Sequence, residues 1–199
     1  MSKEEEEWQC RRIHGSEETT LSHLHSTQPV FEEADLRIPL HVLDSVMNGH
    51  RVCVVISSDT DVMVALLYHM PVFLQHDLKE LWVCAGVGDT TRYVPLHTLH
   101  DHLGRRLCAI LPAVHSLTGC NITSKVGTKK AALKAEPEEF LKNFGTLPTL
   151  SLPTIRKAEL YLVKVLKSGS KAKDFSELWA KVFHREKGSS HHSLPPTSH

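Results

Sequence analysis

Acidic residues recur two positions apart in this sequence, and pairs of carboxylates at this spacing could bind a ligand or take part in catalysis. Asp59 and Asp61 follow a run of five apolar residues, Val52 to Ile56. Such a run is too apolar for a half-buried strand and too short for a helix, so we interpret it as a central strand covered on both faces. Carboxylates at the end of such a strand lie in the crevice at the carboxyl edge of a parallel sheet, where α/β proteins bind their ligands.

A divalent metal ion is the ligand that this acidic arrangement predicts. Neighbouring carboxylates repel one another, and a hard cation such as Mg²⁺ or Mn²⁺ relieves the repulsion. A second acidic pair, Glu33 and Asp35, opens a predicted helix that precedes the strand. Taken alone, Glu33 and Asp35 also fit ordinary acids of a first helical turn, and Asp59 also fits a helix N-cap. The two pairs together favour a metal site that activates water near a phosphodiester.

The elements that must position these acids alternate between helix and strand, which predicts an α/β domain with a helical extension. An apolar stripe over 32–47 indicates a helix that ends at Gly49, and Pro39 either kinks it or opens a later-starting helix. Residues 80–85 and 91–96 are typical of a hairpin. Pro71 is expected to break or end the helix that follows Asp61. Further helices are expected at 97–103, 107–117, 137–144, 154–167 and 174–185, with a kink or boundary at Pro112.

The domain organisation follows from these patterns and from composition. We expect a disordered acidic, Ser- and His-rich N-terminus at 1–30 and a partial α/β core at 31–135. A helical basic extension should follow at 136–187, and a disordered tail at 188–199.

Charge is distributed unevenly although the whole chain is neutral. Residues 1–124 carry 9 Lys and Arg against 16 Asp and Glu, a net charge of −7, whereas residues 125–187 carry 14 against 7, a net charge of +7. An acidic front half and a basic back half suit a metal pocket beside an anion-binding surface. Two solvated faces of opposite sign explain the same counts.

Cysteine usage and the apolar pattern predict an intracellular protein, nuclear or cytoplasmic, that is neither secreted nor membrane-bound. The 5 cysteines are odd in number and form no C-x-x-C pair, which argues against a disulfide framework. The acidic N-terminus is unlike a targeting peptide, and no apolar stretch approaches the roughly 20 residues that span a bilayer. The 15 histidines, including His97, His100 and His102, lack zinc-ligand spacing, and we interpret them as surface or helix-face residues.

Three segments, in a consistent order, resemble the successive signatures of PIN-like, flap-endonuclease-like domains. The segments are residues 32–38, 57–62 and 117–124. The resemblance is strongest to a branch of mostly uncharacterised eukaryotic proteins, many of them associated with transposable elements, and it spans about 31–198. It implies a partial three-layer PIN-like α/β fold with a mostly parallel sheet, and catalysis by Asp59 and Asp61. The metal ligands that it implies are Glu33, Asp35, Asp59, Asp61 and, where the family pattern has Asp, Asn121.

A lysine-rich turn is the predicted contact to DNA or RNA. The resemblance implies that residues 127–132 match the turn that grips a phosphate backbone in flap-endonuclease-like enzymes. A glycine-containing loop at a helix start with lysines beside it can bind phosphate on physical grounds too, although a solvated lysine cluster is the alternative. The predicted nucleic-acid-binding residues are Lys125, Gly127, Lys129 and Lys130.

Departures from the family pattern predict weak or absent catalysis. Asn121 brings no charge, which lowers the affinity for a divalent cation. Domains of this family begin with a strand that carries a first catalytic Asp, and residues 1–30 contain no Asp. We therefore expect the later portion of a nuclease-derived PIN-like domain that binds nucleic acid. The alternatives are an active Mg²⁺-dependent endonuclease and an aspartyl phosphotransferase, because an apolar strand followed by Asp-x-Asp also begins the latter enzymes.

Overall fold

The computed structural model describes residues 10–14, 17–21, 34–120, 126–145, 149–167, 171–178 and 180. Near the N-terminus, β1 (Cys10–His14) and β2 (Glu17–Leu21) pair as an antiparallel hairpin. The sequence predicts no regular structure there, because strands this short and polar lack a sustained alternation of apolar residues. The predicted disordered tail at 188–199 lies outside the described residues.

A three-stranded sheet forms the centre of the α/β part, in the order β3 (Val52–Ile56), β4 (Glu80–Ala85) and β5 (Arg92–Pro95). β3 and β4 are parallel, whereas β4 and β5 form the predicted antiparallel hairpin. The sheet is therefore mixed and not mostly parallel. Gly86 begins the reversal between β4 and β5 at φ +93, where an added Cβ would lie 2.4 Å from the carbonyl oxygen of Thr90.

Among the strands that the structure describes, β3 lies at the edge of the sheet, so the prediction that it is central and covered on both faces is wrong for the described fold. Cys53 is buried, whereas Val52, Val54 and Ile56 are 55%, 53% and 84% exposed. The described helices cover one face of β3, and a three-layer arrangement is not present among the described residues. An apolar run of β-branched residues does not distinguish a strand covered on both faces from a strand covered on one face. Such residues are favoured in either, because they suit any pleated surface.

The helices alternate with the strands as predicted and then continue alone. Their bounds differ from the predicted ones by a few residues, as is usual at frayed ends. In the part of the chain that the structure describes, no helix is long and apolar enough to cross a membrane. The helices are α1 (Ala34–Met47), α2 (Thr60–Gln75), α3 (Leu96–Leu103), α4 (Arg105–Thr118), α5 (Lys129–Lys134), α6 (Pro137–Leu141) and α7 (Leu152–Leu166), and residues 175–178 add a further helical turn.

Three of these helices contain a proline. Pro39, Pro71 and Pro112 lie inside α1, α2 and α4, so the prediction that Pro71 ends its helix is wrong. An internal proline removes one backbone hydrogen bond and costs about 3 kcal/mol. In α2 the buried side chains of Met70 and Phe73 flank the proline, and their burial offsets part of that cost.

Two hydrophobic clusters share α4. The first contains Leu66 of α2 and Leu81 of β4, and the second contains Leu141 of α6 and Tyr161 of α7. Tyr161 is completely buried and donates its hydroxyl proton to the carbonyl oxygen of Ala132 at 3.2 Å. Burial raises the pKa of Tyr161 to about 12. Because α4 contributes side chains to both clusters, it joins the sheet to the C-terminal helices.

Candidate functional site

The carboxyl end of β3 carries the two aspartates that the sequence selects. Ser58 follows the strand, and its Oγ accepts the N–H of Gly86 at 2.9 Å, which ties this end to the end of β4. Asp59 has an extended backbone and caps α2, since its Oδ1 accepts the N–H of Asp61 at 2.9 Å. The interpretation of Asp59 as a helix N-cap is therefore confirmed.

Asp61 lies in the first turn of α2, and its Oδ1 contacts Nε2 of His115 in the last turn of α4. The other ring nitrogen of His115, Nδ1, lies 3.1 Å from Nζ of Lys129. An ammonium group can only donate, so Nδ1 accepts, and the proton of the neutral imidazole is on Nε2, directed at Asp61. These three side chains form a chain of carboxylate, imidazole and ammonium that links α2, α4 and α5.

The ammonium group of Lys129 also forms hydrogen bonds at the carboxyl end of α4. It donates to the carbonyl oxygen of Gly119 at 2.8 Å and to Oγ1 of Thr118 at 3.1 Å. Thr118 is buried, and its hydroxyl donates in turn to the carbonyl oxygen of Val114 at 2.7 Å. The carboxyl end of a helix has unpaired carbonyls and partial negative charge, which a lysine satisfies. The donors of Lys129 are thus directed at α4, and its predicted contact to nucleic acid stays a prediction.

The predicted phosphate-binding turn packs closely against α7. Gly127 has a φ of +66, and an added Cβ would lie 2.7 Å from Cγ1 of Val165. This close approach explains the glycine without a ligand. Lys130 is exposed and has no ion-pair partner among the residues that the structure describes. Lys125 lies outside the described residues.

Of the other predicted metal ligands, the structure describes only Asp35. Asp35 lies in the first turn of α1, while Glu33 and Asn121 lie outside the described residues. Within the described ranges, no group of three or more His, Cys, Asp or Glu side chains is placed to hold a metal ion. Asp59 and Asp61 each have one carboxylate oxygen, Oδ1, in a contact within the protein, so Oδ2 of each is the oxygen that remains for a cation such as Mg²⁺ or Mn²⁺.

His115 is the residue of this site that the sequence analysis missed. It lies on α4 four residues after Leu111 and three before Thr118, so the three share one helical stripe. A histidine on a stripe that faces the interior indicates a buried partner, which was the available signal. The sequence cannot name that partner, because Asp61 is 54 positions away.

Exposed basic side chains lie on the C-terminal helices and the segments between them, without ion-pair partners among the described residues. The acidic residues of the same region are mostly engaged. Glu136 lies 3.4 Å from Lys164, and Glu159 accepts the N–H of Phe175 at 3.0 Å. The region therefore presents positive charge that local carboxylates do not pair. The basic side chains are those of Lys130, Lys134, Lys142, Arg156, Lys157, Lys171 and Lys173.

A small cavity at the start of α7 lies within this basic region. Its volume is about 150 Å³, and its lining includes Lys142, Lys157, Asn143, Ser151 and Thr154. Ser151 caps α7 by accepting the N–H of Thr154 at 3.4 Å. Two ammonium groups together with hydroxyl and amide donors suit an anion of the size of a phosphate group.

Comparisons of the chain with family models, with curated proteins and with solved structures find no match. Its own fold and site therefore define its class, which is an α/β domain with a small mixed sheet and a basic helical extension.

Proposed function

We propose that this chain is a nucleic-acid-binding domain, derived from a PIN-like nuclease, with little or no cleavage activity of its own. The observation that carries the proposal is the set of exposed basic side chains in the C-terminal helical region, which have no ion-pair partner in the part of the chain that the structure describes. Phosphate backbones bind such surfaces through counterion release and need no contact with the bases. The cavity between Lys142 and Lys157 offers a place where one phosphate group of the backbone would dock.

The contacts of the two aspartates support the low activity. A metal-dependent nuclease holds its ions with carboxylates whose oxygens are turned toward the metal. Asp59 instead accepts a backbone N–H of α2, and Asp61 accepts an imidazole N–H of His115. Each of these carboxylates has Oδ1 engaged within the protein and only Oδ2 left for a cation, and the described residues place no third acidic ligand beside them.

Salt-dependent binding tests the proposal. Binding of the full chain to labelled single-stranded DNA and RNA is measured by fluorescence anisotropy between about 50 and 200 mM salt. We expect Arg156→Gln to reduce the slope of log Kd against log salt by about 0.7, the value for one lost phosphate contact on a single strand. Arg92→Gln is the matched control, because Arg92 is also exposed but lies on β5. An absence of binding at the lowest salt, or equal effects of the two variants, would contradict the proposal.

A cleavage assay separates the proposal from its alternative, an active Mg²⁺-dependent endonuclease. Flap and single-stranded substrates are incubated with the chain and Mg²⁺ or Mn²⁺, and we expect no more product than with a chelator. Asparagine at position 59 would keep the N-cap hydrogen bond and remove only the charge. Cleavage that the metal stimulates and Asp59→Asn abolishes would therefore establish the endonuclease and overturn the low-activity part of the proposal.

A further inference from the structure

β3 ends the sheet with an edge that none of the described strands covers. The carbonyl oxygen of Arg51 accepts the N–H of Lys79 at 2.8 Å, so Arg51 and every second residue after it bond toward β4. Alternate residues of a strand direct their backbone groups to opposite edges. The outer edge therefore presents the N–H and C=O groups of Val52, Val54 and Ile56.

The outer edge of β3 lacks the charges, prolines and bulges that prevent an edge strand from pairing with another strand. Natural edge strands are protected by charges, prolines or bulges. The five residues of β3 are Val-Cys-Val-Val-Ile, without a charge or a proline, and they pair with β4 in an uninterrupted register. The residues whose backbone groups point outward are also those whose apolar side chains are exposed.

A groove beside this edge leaves room for an added strand. It lies between α1 and β3 and has a volume of about 270 Å³. His41 and Ser45 of α1 line one side, and Cys53 and Val55 line the other. Every second side chain of a strand paired with β3 would point toward this groove.

We propose that a second copy of this chain pairs its own β3 with this edge, antiparallel, about a twofold axis at Val54. In that register Val54 lies opposite itself, and Val52 of each copy lies opposite Ile56 of the other. All three exposed apolar side chains are thus matched with apolar side chains, as a self-complementary interface requires. The three residue pairs exchange about six backbone hydrogen bonds, which join the two sheets into one.

Charges at the two ends of β3 favour the antiparallel orientation. At the beginning of the strand, Arg51 and Lys79 both pair with Asp77, which leaves a net positive charge. The other end carries Asp59 and Asp61. In the twofold arrangement the basic beginning of one strand lies beside the acidic end of the other, whereas parallel pairing would bring like charges together.

The interface is small, so the association is expected to be reversible. One pair of edge strands with three apolar side chains on each copy buries less than the roughly 1,200 Å² of stable interfaces. The fraction of dimer should therefore rise with the protein concentration.

Sedimentation velocity of the full chain over a range of concentrations tests the dimer. Ile56→Lys places a charge opposite Val52 of the other copy, and we expect it to raise the dissociation constant at least about tenfold. Because Ile56 is 84% exposed, the variant should still fold, which circular dichroism checks. Val87→Lys is the matched control, because Val87 is also 84% exposed but lies in the turn after β4, and it should leave the dissociation constant unchanged.

A charge-pair variant tests the register. Val52→Glu alone should weaken the dimer, whereas Val52→Glu combined with Ile56→Lys should restore it, because each new carboxylate then faces a new ammonium group of the other copy. A wild-type chain that stays monomeric at every concentration would overturn the proposal. So would equal effects of Ile56→Lys and Val87→Lys, or a double variant that is no tighter than the single ones.

Discussion

The contacts from Asp61 through His115 to Lys129 join three helices through side chains alone. Asp61 belongs to α2, His115 to α4 and Lys129 to α5. In this series of contacts His115 has a partner on each ring nitrogen, so the removal of Asp61 or Lys129 leaves one of its nitrogens unsatisfied. The same contacts satisfy carbonyls at the end of α4, which makes Lys129 the member on which most of the arrangement depends.

Lys129→Met is expected to lower the free energy of unfolding by about 1–3 kcal/mol, because it removes the charged donor to Oγ1 of the buried Thr118 and to the carbonyl oxygen of Gly119. Lys130→Met is the matched control. The two lysines are adjacent, but the structure gives Lys130 no ion-pair partner among the described residues, and the change there should stay within about 0.5 kcal/mol. Urea denaturation followed by circular dichroism measures both. Equal effects of the two changes would show that the hydrogen bonds of Lys129 contribute nothing to stability.

Single residues also show what local sequence can and cannot indicate. Asp59 was recognisable as an N-cap, because the strand before it and the helix after it are both local patterns. His100 lies on α3, as the helix-face interpretation expects. However, His100 is buried, and neither ring nitrogen has a hydrogen-bond partner within the described structure. Burial of this kind depends on how α3 packs, which the residues around His100 do not specify.

At the scale of the elements, the backbone at Gly127 positions α5 against α7. The glycine has a positive φ, and Val165 of α7 fills the space that a side chain would need. The sequence analysis related this glycine to phosphate binding, and the structure adds a packing reason that is independent of any ligand. The two explanations predict different results for substitution.

Gly127→Ala is expected to destabilise the protein more than Gly145→Ala. Both glycines have a positive φ, +66 and +76, so both substitutions cost about 1–2 kcal/mol of backbone strain. At Gly145 nothing lies within 4 Å of the added Cβ, whereas at Gly127 the overlap with Val165 should add about 1–3 kcal/mol. Thermal unfolding of the two variants measures the difference. Equal losses of stability in the two variants would mean that Val165 and α7 accommodate the added methyl group without an energetic cost.

Elements with a strong local period were predicted well, and their surroundings were not. The strand at 52–56, the hairpin of β4 and β5 and the C-terminal helices all follow from patterns within a few residues. Pro71 was expected to end a helix because its local cost is unfavourable. The helix continues because Met70 and Phe73 are buried against other elements, and that gain is not local.

At the scale of the whole molecule, α4 makes one unit of the sheet and the C-terminal helices. It contributes Cys108 to the first hydrophobic cluster, and Ile110 and Val114 to the second. The basic region and the acidic end of β3 are therefore held on a common core.

Leu66→Ala and Leu141→Ala are expected to lower the midpoint of the same unfolding transition. The two leucines are completely buried in different clusters, and each truncation should cost about 2–5 kcal/mol. If α4 couples the clusters, each variant shows one transition at a lower temperature. Circular dichroism melts at several wavelengths measure this. A variant that shows two separate transitions would mean that the clusters unfold independently.

The sequence by itself determined the α/β class, the position of β3 with its two aspartates and the basic character of the C-terminal region, and it left Asp59 open between a helix N-cap and a metal ligand. Each of these depends on residue type and on spacing within one or two turns. Only the tertiary structure decided that β3 lies at the edge of the described sheet, that His115 contacts Asp61 and that Lys129 donates to the end of α4. Those outcomes depend on contacts between residues far apart in the chain, and hydrophobic packing, which is non-directional, leaves no local pattern that specifies them.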